Sequence, residues 1–204
     1  MLIDEIIRII QSSFAYLQSC VDSGEGRLFI PSTGEDSIRI SEGEIRSAFI
    51  EQFLKDPIFQ SYSYSVETPT ESSYRFSNES GKRIPSIDPS GRRGNIDACI
   101  MNNGQRAAII EFKANNAGFF EHGKDFLKLK SESGYDLLRF FVEVYSSTDE
   151  NTLKSIHEKL YANGYCNIGD NTIFLGYSLK HNGSIKHGLI TCNPNSSTAS
   201  INSI

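Results

Sequence analysis

Asp97, Glu111 and Lys113 are the residues of this 204-residue chain whose types and spacing could do chemistry together. They interrupt two short apolar runs, Gly94-Asn95-Ile96-Asp97-Ala98-Cys99-Ile100 and Ala108-Ile109-Ile110-Glu111-Phe112-Lys113, on either side of Asn102-Asn103-Gly104. A turn signal between apolar segments reads as a β-hairpin. Strand side chains alternate, so Glu111 and Lys113 share a face. Whether Asp97 joins them depends on register. A two-residue loop at Asn103-Gly104 would pair Asp97 with Ile110 and aim it away from Glu111. A three-residue loop, Asn102 to Gly104, pairs Asp97 with Ile109 and leaves Glu111 as a diagonal neighbour on the same face, roughly 7–8 Å away. Gly104 suits the positive φ that closes a three-residue loop, and this is the register expected.

Two carboxylates and a lysine on one face of a buried hairpin strain the fold unless something compensates them. A hard divalent cation does so: Mg²⁺ takes oxygen ligands and keeps several waters for a phosphate substrate. The competing structural reading is an ordinary Glu–Lys pair on an edge strand, with Asp97 merely starting its own strand.

The wording of the segments, Asn95-Ile96-Asp97-Ala98-Cys99-Ile100, a turn, then Ile109-Ile110-Glu111-Phe112-Lys113-Ala114, resembles the PD-(D/E)xK nuclease superfamily. The resemblance is specific over roughly residues 41–145; Ile96 stands where the family usually has proline before the Asp. It implies an α/β fold, the restriction-endonuclease-like three-layer α/β/α sandwich with a central mixed β-sheet. It also implies that Asp97, Glu111 and the carbonyl oxygen of Phe112 hold Mg²⁺, with Mn²⁺ able to substitute. Lys113 would then orient the attacking water and offset developing charge. In this family the helix before the hairpin often supplies another acidic residue; Glu44 is the first candidate and Glu51 the second. Ser41 followed by Glu44 is also a capping box, which explains Glu44 structurally. The implied activity is Mg²⁺-dependent endonucleolytic hydrolysis of DNA leaving a 5′-phosphate, in restriction, repair or defence against mobile DNA. Two alternatives stay open: an RNA-cleaving nuclease, and a catalytically weak nucleic-acid-binding subunit that retains the fold.

The elements that must position these residues follow from periodicity. Residues 2–21 form an amphipathic helix whose apolar stripe includes Leu2, Ile6, Ile10, Phe14 and Leu17, read as core or dimer packing. A second helix runs from Glu42 to Lys55 and stops before Pro57. Residues 61–68 alternate as a first core strand, after which the chain wanders through a Ser-, Gly- and Pro-rich stretch to Pro89. Phe119 to Ser131 reads as a helix with Lys124, Asp125 and Lys128 on its polar side. Leu137 to Tyr145 is a nearly continuous apolar run, as a buried central strand should be, and Glu143 within it has no assigned role. Asp149 to Asn163 is a helix capped by Asp149 and ended by Gly164. Thr172 to Leu179 and Ile185 to Thr191 are strands around Asn182-Gly183, and the tail from Asn193 is expected to be loose. The whole reads as one domain over 1–204, with a core of about 41–180.

Lys82, Arg83, Arg92 and Arg93 make a basic run just ahead of Asp97. They read either as a solvated loop or as contacts to a nucleic-acid backbone; Lys124 and Lys128 are further candidates for gripping DNA. The net charge of −5 argues against a protein that coats nucleic acid indiscriminately. A homodimer, or a partner protein that delivers the nucleic acid, is compatible with that acidity. The four cysteines are scattered without a Cys-x-x-Cys pair, as in a reduced cytoplasmic protein. No apolar run approaches a membrane span. The four histidines lack metal-ligand spacing, and His122, nearest the hairpin, is the reserve candidate.

Overall fold

A computed structural model describes the chain except for residues 24–27, 35–36, 77–84, 116, 135, 166–170, 182–185, 194 and 203–204. Lys82, Arg83 and the Asn182-Gly183 turn therefore lie outside the described residues. In order, the elements are α1 (Leu2–Ser23), β1 (Ser32–Gly34), β2 (Ser37–Ile38), α2 (Glu42–Lys55), a 3₁₀ turn (Pro57–Ser61), β3 (Ser63–Arg75), β4 (Ser86–Ile87), β5 (Arg92–Asn102), β6 (Gln105–Ala114), α3 (Phe119–Ser131), β7 (Leu138–Tyr145), α4 (Glu150–Ala162), β8 (Thr172–Ser178), β9 (Gly188–Thr191) and β10 (Ser200–Asn202). β1 and β2 form a small ribbon, and the other eight strands form one mixed sheet in the order β10-β9-β8-β7-β6-β5-β3-β4.

The sheet is parallel at its centre, where β6, β7 and β8 run together, and antiparallel on both flanks. β6 from Ala108 on and β7 are buried on both faces, which is why apolar residues run through them apart from Glu111 and Lys113 in β6 and Arg139 and Glu143 in β7. Alternation then sorts the side chains. Ile110, Phe112, Phe140, Val142 and Val144 pack with Ile6, Ile10, Phe14 and Leu17 of α1 and Phe49 and Phe53 of α2. Ile109, Phe141 and Tyr145 pack with Phe126 and Leu129 of α3 and Leu153, Ile156 and Leu160 of α4. One helix pair thus covers each face.

Three local expectations change. β3 continues to Arg75, beyond Thr68; Pro69 is accommodated because the pairing with β5 is irregular between Pro69 and Ser73, near Glu67 at φ 51°. The segment after Asn193 includes β10, which adds an edge strand beside β9. Arg92 and Arg93 open β5, paired with Tyr74 and Ser73, and are exposed strand residues instead of part of a loop. The capping of α4 is as expected: Asp149 Oδ1 accepts the Thr152 amide at 2.7 Å, and Gly164 takes φ 81° after the helix. No helix among the described residues is long and apolar enough to cross a membrane.

Candidate active site

The hairpin does bring Asp97 and Glu111 together, though not through the expected loop. Asn102 pairs with Gln105, so the loop is the two-residue Asn103-Gly104, and both residues have positive φ (50° and 77°), the geometry of a type I′ turn. A bulge follows: Ile100 pairs with Ala108 and Met101 with Arg106, leaving Ala107 as the extra residue on β6. That insertion shifts the register once more, so Ala98 faces Ile110. Carried one residue further, the register sets Asp97 directly opposite Glu111. The two-residue loop alone would have sent Asp97 to the other face.

Around this pair lies a network built largely from α3. The Phe112 amide donates to Asp97 Oδ2 at 2.7 Å. Lys113 Nζ sits 2.7 Å from Asp125 Oδ2 and 2.6 Å from Glu42 Oε1, and also donates to the Phe112 carbonyl at 3.3 Å. Lys128 Nζ lies 2.6 Å from Glu111 Oε1 and 2.9 Å from Asp125 Oδ1, and donates to the Asn95 carbonyl at 2.8 Å. Lys124 approaches Asp125 from the rim at 3.6 Å. Glu111, Lys113, Asp125 and Lys128 are buried, Asp97 is partly exposed, and Glu42 is half exposed. The carboxylates therefore open toward solvent through Asp97 and Glu42.

Burial sets the electrostatics. It pushes the Glu111 carboxyl well above its ordinary range, with Asp125 adding to the effect and Lys128 opposing it. It also raises Asp97, against the Phe112 amide and the two lysines. Burial acts on Asp125 in the same direction, but Lys128 and Lys113 outweigh it and hold Asp125 low. Burial would lower both ammoniums, yet Asp125 and Glu42 keep Lys113 above the ordinary lysine value, and Glu111 and Asp125 do the same for Lys128. Both lysines are firmly charged. Among the described residues, Glu111 Oε2 meets no hydrogen-bond donor.

Several expected site residues are elsewhere. Glu44 is taken up by the capping box: Ser41 N–H donates to its Oε2 at 2.7 Å, and the Ser41 hydroxyl donates to the same oxygen. Glu51 pairs with Lys55 at 2.8 Å. The acidic residue that α2 delivers is Glu42, at its first position. Lys128 was expected on the polar side of α3 to grip DNA; its ammonium is instead enclosed among site carboxylates, and Asp125 is buried beside it. The sequence signal for Asp125 is an offset. His122, Asp125, Phe126 and Leu129 follow the i, i+3, i+4, i+7 pattern of a buried stripe, with polar residues at two of its positions. Arg92 and Arg93 stay exposed on β5, upstream of Asp97.

Next to this network is a second buried pair. Glu143 is the register partner of Lys113 across β6 and β7. His122 Nε2 lies 2.9 Å from Glu143 Oε2, and His122 Nδ1 lies 3.2 Å from the Gly118 carbonyl. A carbonyl only accepts, so Nδ1 carries a proton, and the proton of the second bond belongs to His122 or Glu143. The pair ties the first turn of α3 to β7.

Among the described residues no group of three or more His, Cys, Asp or Glu is gathered as a metal cluster; the set expected from the sequence has two carboxylates and one carbonyl. No family model matches the chain, and no curated protein or solved structure does so either.

Proposed function

We propose that the chain is a nuclease of the PD-(D/E)xK superfamily with the restriction-endonuclease-like sandwich, and that it hydrolyses DNA phosphodiester bonds with Mg²⁺. The observation that carries this reading is the approach of Asp97 to β6, where its Oδ2 accepts the Phe112 amide at 2.7 Å between Glu111 and Lys113, which share a face of that strand. A Glu–Lys pair on an exposed edge strand, the structural alternative, does not describe β6, which lies between β5 and β7 with both residues buried.

The residues fit a hard divalent cation. The set contains four carboxylates, Asp97, Glu111, Asp125 and Glu42, against two buried ammoniums, with Lys124 at the rim. Asp97 and Glu111 are the two that burial holds above the ordinary carboxylate range, whereas the lysines hold Asp125 low, and among the described residues Glu111 Oε2 has no donor. Asp97, Glu111 and the Phe112 carbonyl would hold the ion. Bound there, it would polarise a phosphate and make its water more acidic.

Lys113 acts as a charge, not as a base. Asp125 and Glu42 hold it protonated, so it would orient the attacking water by donating to it and offset negative charge on the phosphate oxygens. Asp125 fixes the ammonium from the buried side and Glu42 from the solvent side. Arg92 and Arg93 lie on the same strand as Asp97 and are exposed, suited to contacts with a nucleic-acid backbone. One observation favours a second reading, a binding subunit without efficient catalysis: both site lysines are already neutralised by carboxylates.

The deciding experiment is cleavage of supercoiled plasmid, single-stranded DNA and RNA with Mg²⁺, Mn²⁺ or EDTA, with folded Asp97→Ala and Lys113→Ala chains in parallel. Metal-dependent nicking lost in both variants is the expected result. Equal inertness of wild type and variants on all three substrates would defeat the nuclease reading and favour the binding subunit.

A further inference from the structure

Lys128 occupies an unusual position. Its ammonium is enclosed by three oxygens, Glu111 Oε1, Asp125 Oδ1 and the Asn95 carbonyl, at 2.6–2.9 Å. Its stem crosses β5 at Gly94, where a Cβ would stand 3.0 Å from Lys128 Cδ. Gly94 has no positive φ to explain it; the missing side chain leaves room for the lysine. The ammonium has therefore been given a seat among hard oxygen donors, and one of them is a carboxylate that the proposed function assigns to the metal.

We infer that Lys128 is a resident cation that competes with the divalent ion for Glu111 and holds the metal affinity of the site low. This rests on the reading of Asp97 and Glu111 as the metal-holding carboxylates. Like charges sharing one buried carboxylate repel, and the repulsion is weakly screened away from water. A divalent ion can engage Glu111 only against the field of the ammonium, or after the lysine has withdrawn from Oε1 toward Asp125 and Asn95. Lys113 differs: its partners are Asp125 and Glu42, so its charge is matched without Glu111.

The test measures Mn²⁺ binding by titration calorimetry and by the paramagnetic resonance of free Mn²⁺, which needs no turnover. Wild type, Lys128→Gln, Lys128→Arg, Gly94→Ala and Asp97→Asn are compared, each shown to be folded. Lys128→Gln keeps a donor but removes the charge, and should tighten Mn²⁺ binding by about tenfold or more. Lys128→Arg should stay near wild type. Gly94→Ala leaves every charge in place but crowds the stem, and should tighten binding by a smaller factor. Asp97→Asn should abolish binding in the wild-type and the Lys128→Gln backgrounds alike. Should Lys128→Gln be unstable alone, Mn²⁺ should raise its melting temperature by more than it raises that of wild type; a chain that no Mn²⁺ concentration restores overturns the inference. So does Lys128→Gln binding no tighter than wild type while Asp97→Asn still abolishes binding, and that result leaves the proposed function standing. Absence of binding in both wild type and Lys128→Gln removes the metal reading and the inference together.

Discussion

The two faces of the sheet are covered by helices of opposite character. Beneath α1 and α2 the contacts are hydrocarbon and aromatic: Phe14 stacks on Tyr177 with centroids 5.2 Å apart, and Phe49 leans on Phe112 at 5.7 Å. Beneath α3 the same strands carry charge. Every charged residue buried among the described residues belongs to α3 (Asp125 and Lys128), to its C-cap (Glu132), or to β6 and β7 (Glu111, Lys113, Arg139 and Glu143). Buried charge costs free energy unless it is paired and hydrogen-bonded. Its confinement to one face means that α3 combines an apolar stripe, Phe126 and Leu129, with buried charge that the α1 and α2 face does without. That division is the strongest structural argument for function on the α3 side.

The division can be broken from either side. The largest effect expected is on activity: Asp97→Ala and Lys113→Ala should each cut plasmid nicking by about 10²–10³-fold or more, measured as initial rates with Mg²⁺. If either variant keeps full rate, the charged face is not catalytic. The apolar face should respond in the opposite currency. Phe49→Ala opens a cavity against Phe53 and Phe112 and should cost about 3–5 kcal/mol by urea denaturation. Any residual folded protein should nick at the wild-type rate per folded molecule. A specific loss of rate would blur the distinction between the faces.

Asp125→Asn tests whether the charged face is merely a stack of ion pairs. It leaves two buried ammoniums with one fewer carboxylate, and should cost about 3 kcal/mol, less than Phe49→Ala where water reaches the cavity. Because Asp125 holds Lys113 protonated, its loss should also lower the affinity of Lys113 for its proton. The alkaline fall of this variant's rate profile should therefore come at lower pH than that of wild type; alkaline limbs that coincide would show that Lys113 does not depend on Asp125.

How much of this was legible follows the same division. The α1 stripe and the length of α2 are local signals, and the sequence periodicity placed both. Asn103-Gly104 announced the hairpin as well. The register did not follow, because the Ala107 bulge has no mark in the sequence; beyond it Ala108 to Ala114 keep one unbroken register with β7. The expected grouping of Asp97 with Glu111 was reached through a different loop. Asp125 and Lys128 were harder. Asp125 falls on the buried stripe with His122, Phe126 and Leu129, but Lys128 does not, and only packing of α3 against β6 shows that its ammonium faces a buried carboxylate. Glu44 and Glu42 are a matter of one hydrogen bond. The capping box was visible, but that Glu42 and not Glu44 would reach Lys113 depended on how α2 packs against β6.

That last pair gives the finest test, within a single helical turn. Glu44→Ala removes the cap acceptor for the Ser41 amide and hydroxyl and should cost about 1 kcal/mol of stability. It should leave nicking and Mn²⁺ binding untouched, because the cap partners of Glu44 are the Ser41 amide and hydroxyl, whereas Lys113 is held by Glu42 and Asp125. Glu42→Ala removes a half-exposed partner of Lys113, so its stability cost should be smaller, about 0–1 kcal/mol. Its effect should appear in the rate, since Lys113 is then held from the buried side alone and loses its restraint toward solvent. Paired thermal melts and initial rates on the two variants separate these outcomes. If both lose stability and neither loses rate, α2 belongs wholly to the stabilising half of the molecule. If only Glu42→Ala loses rate, the site begins at the first residue of α2 and the cap lies just outside it.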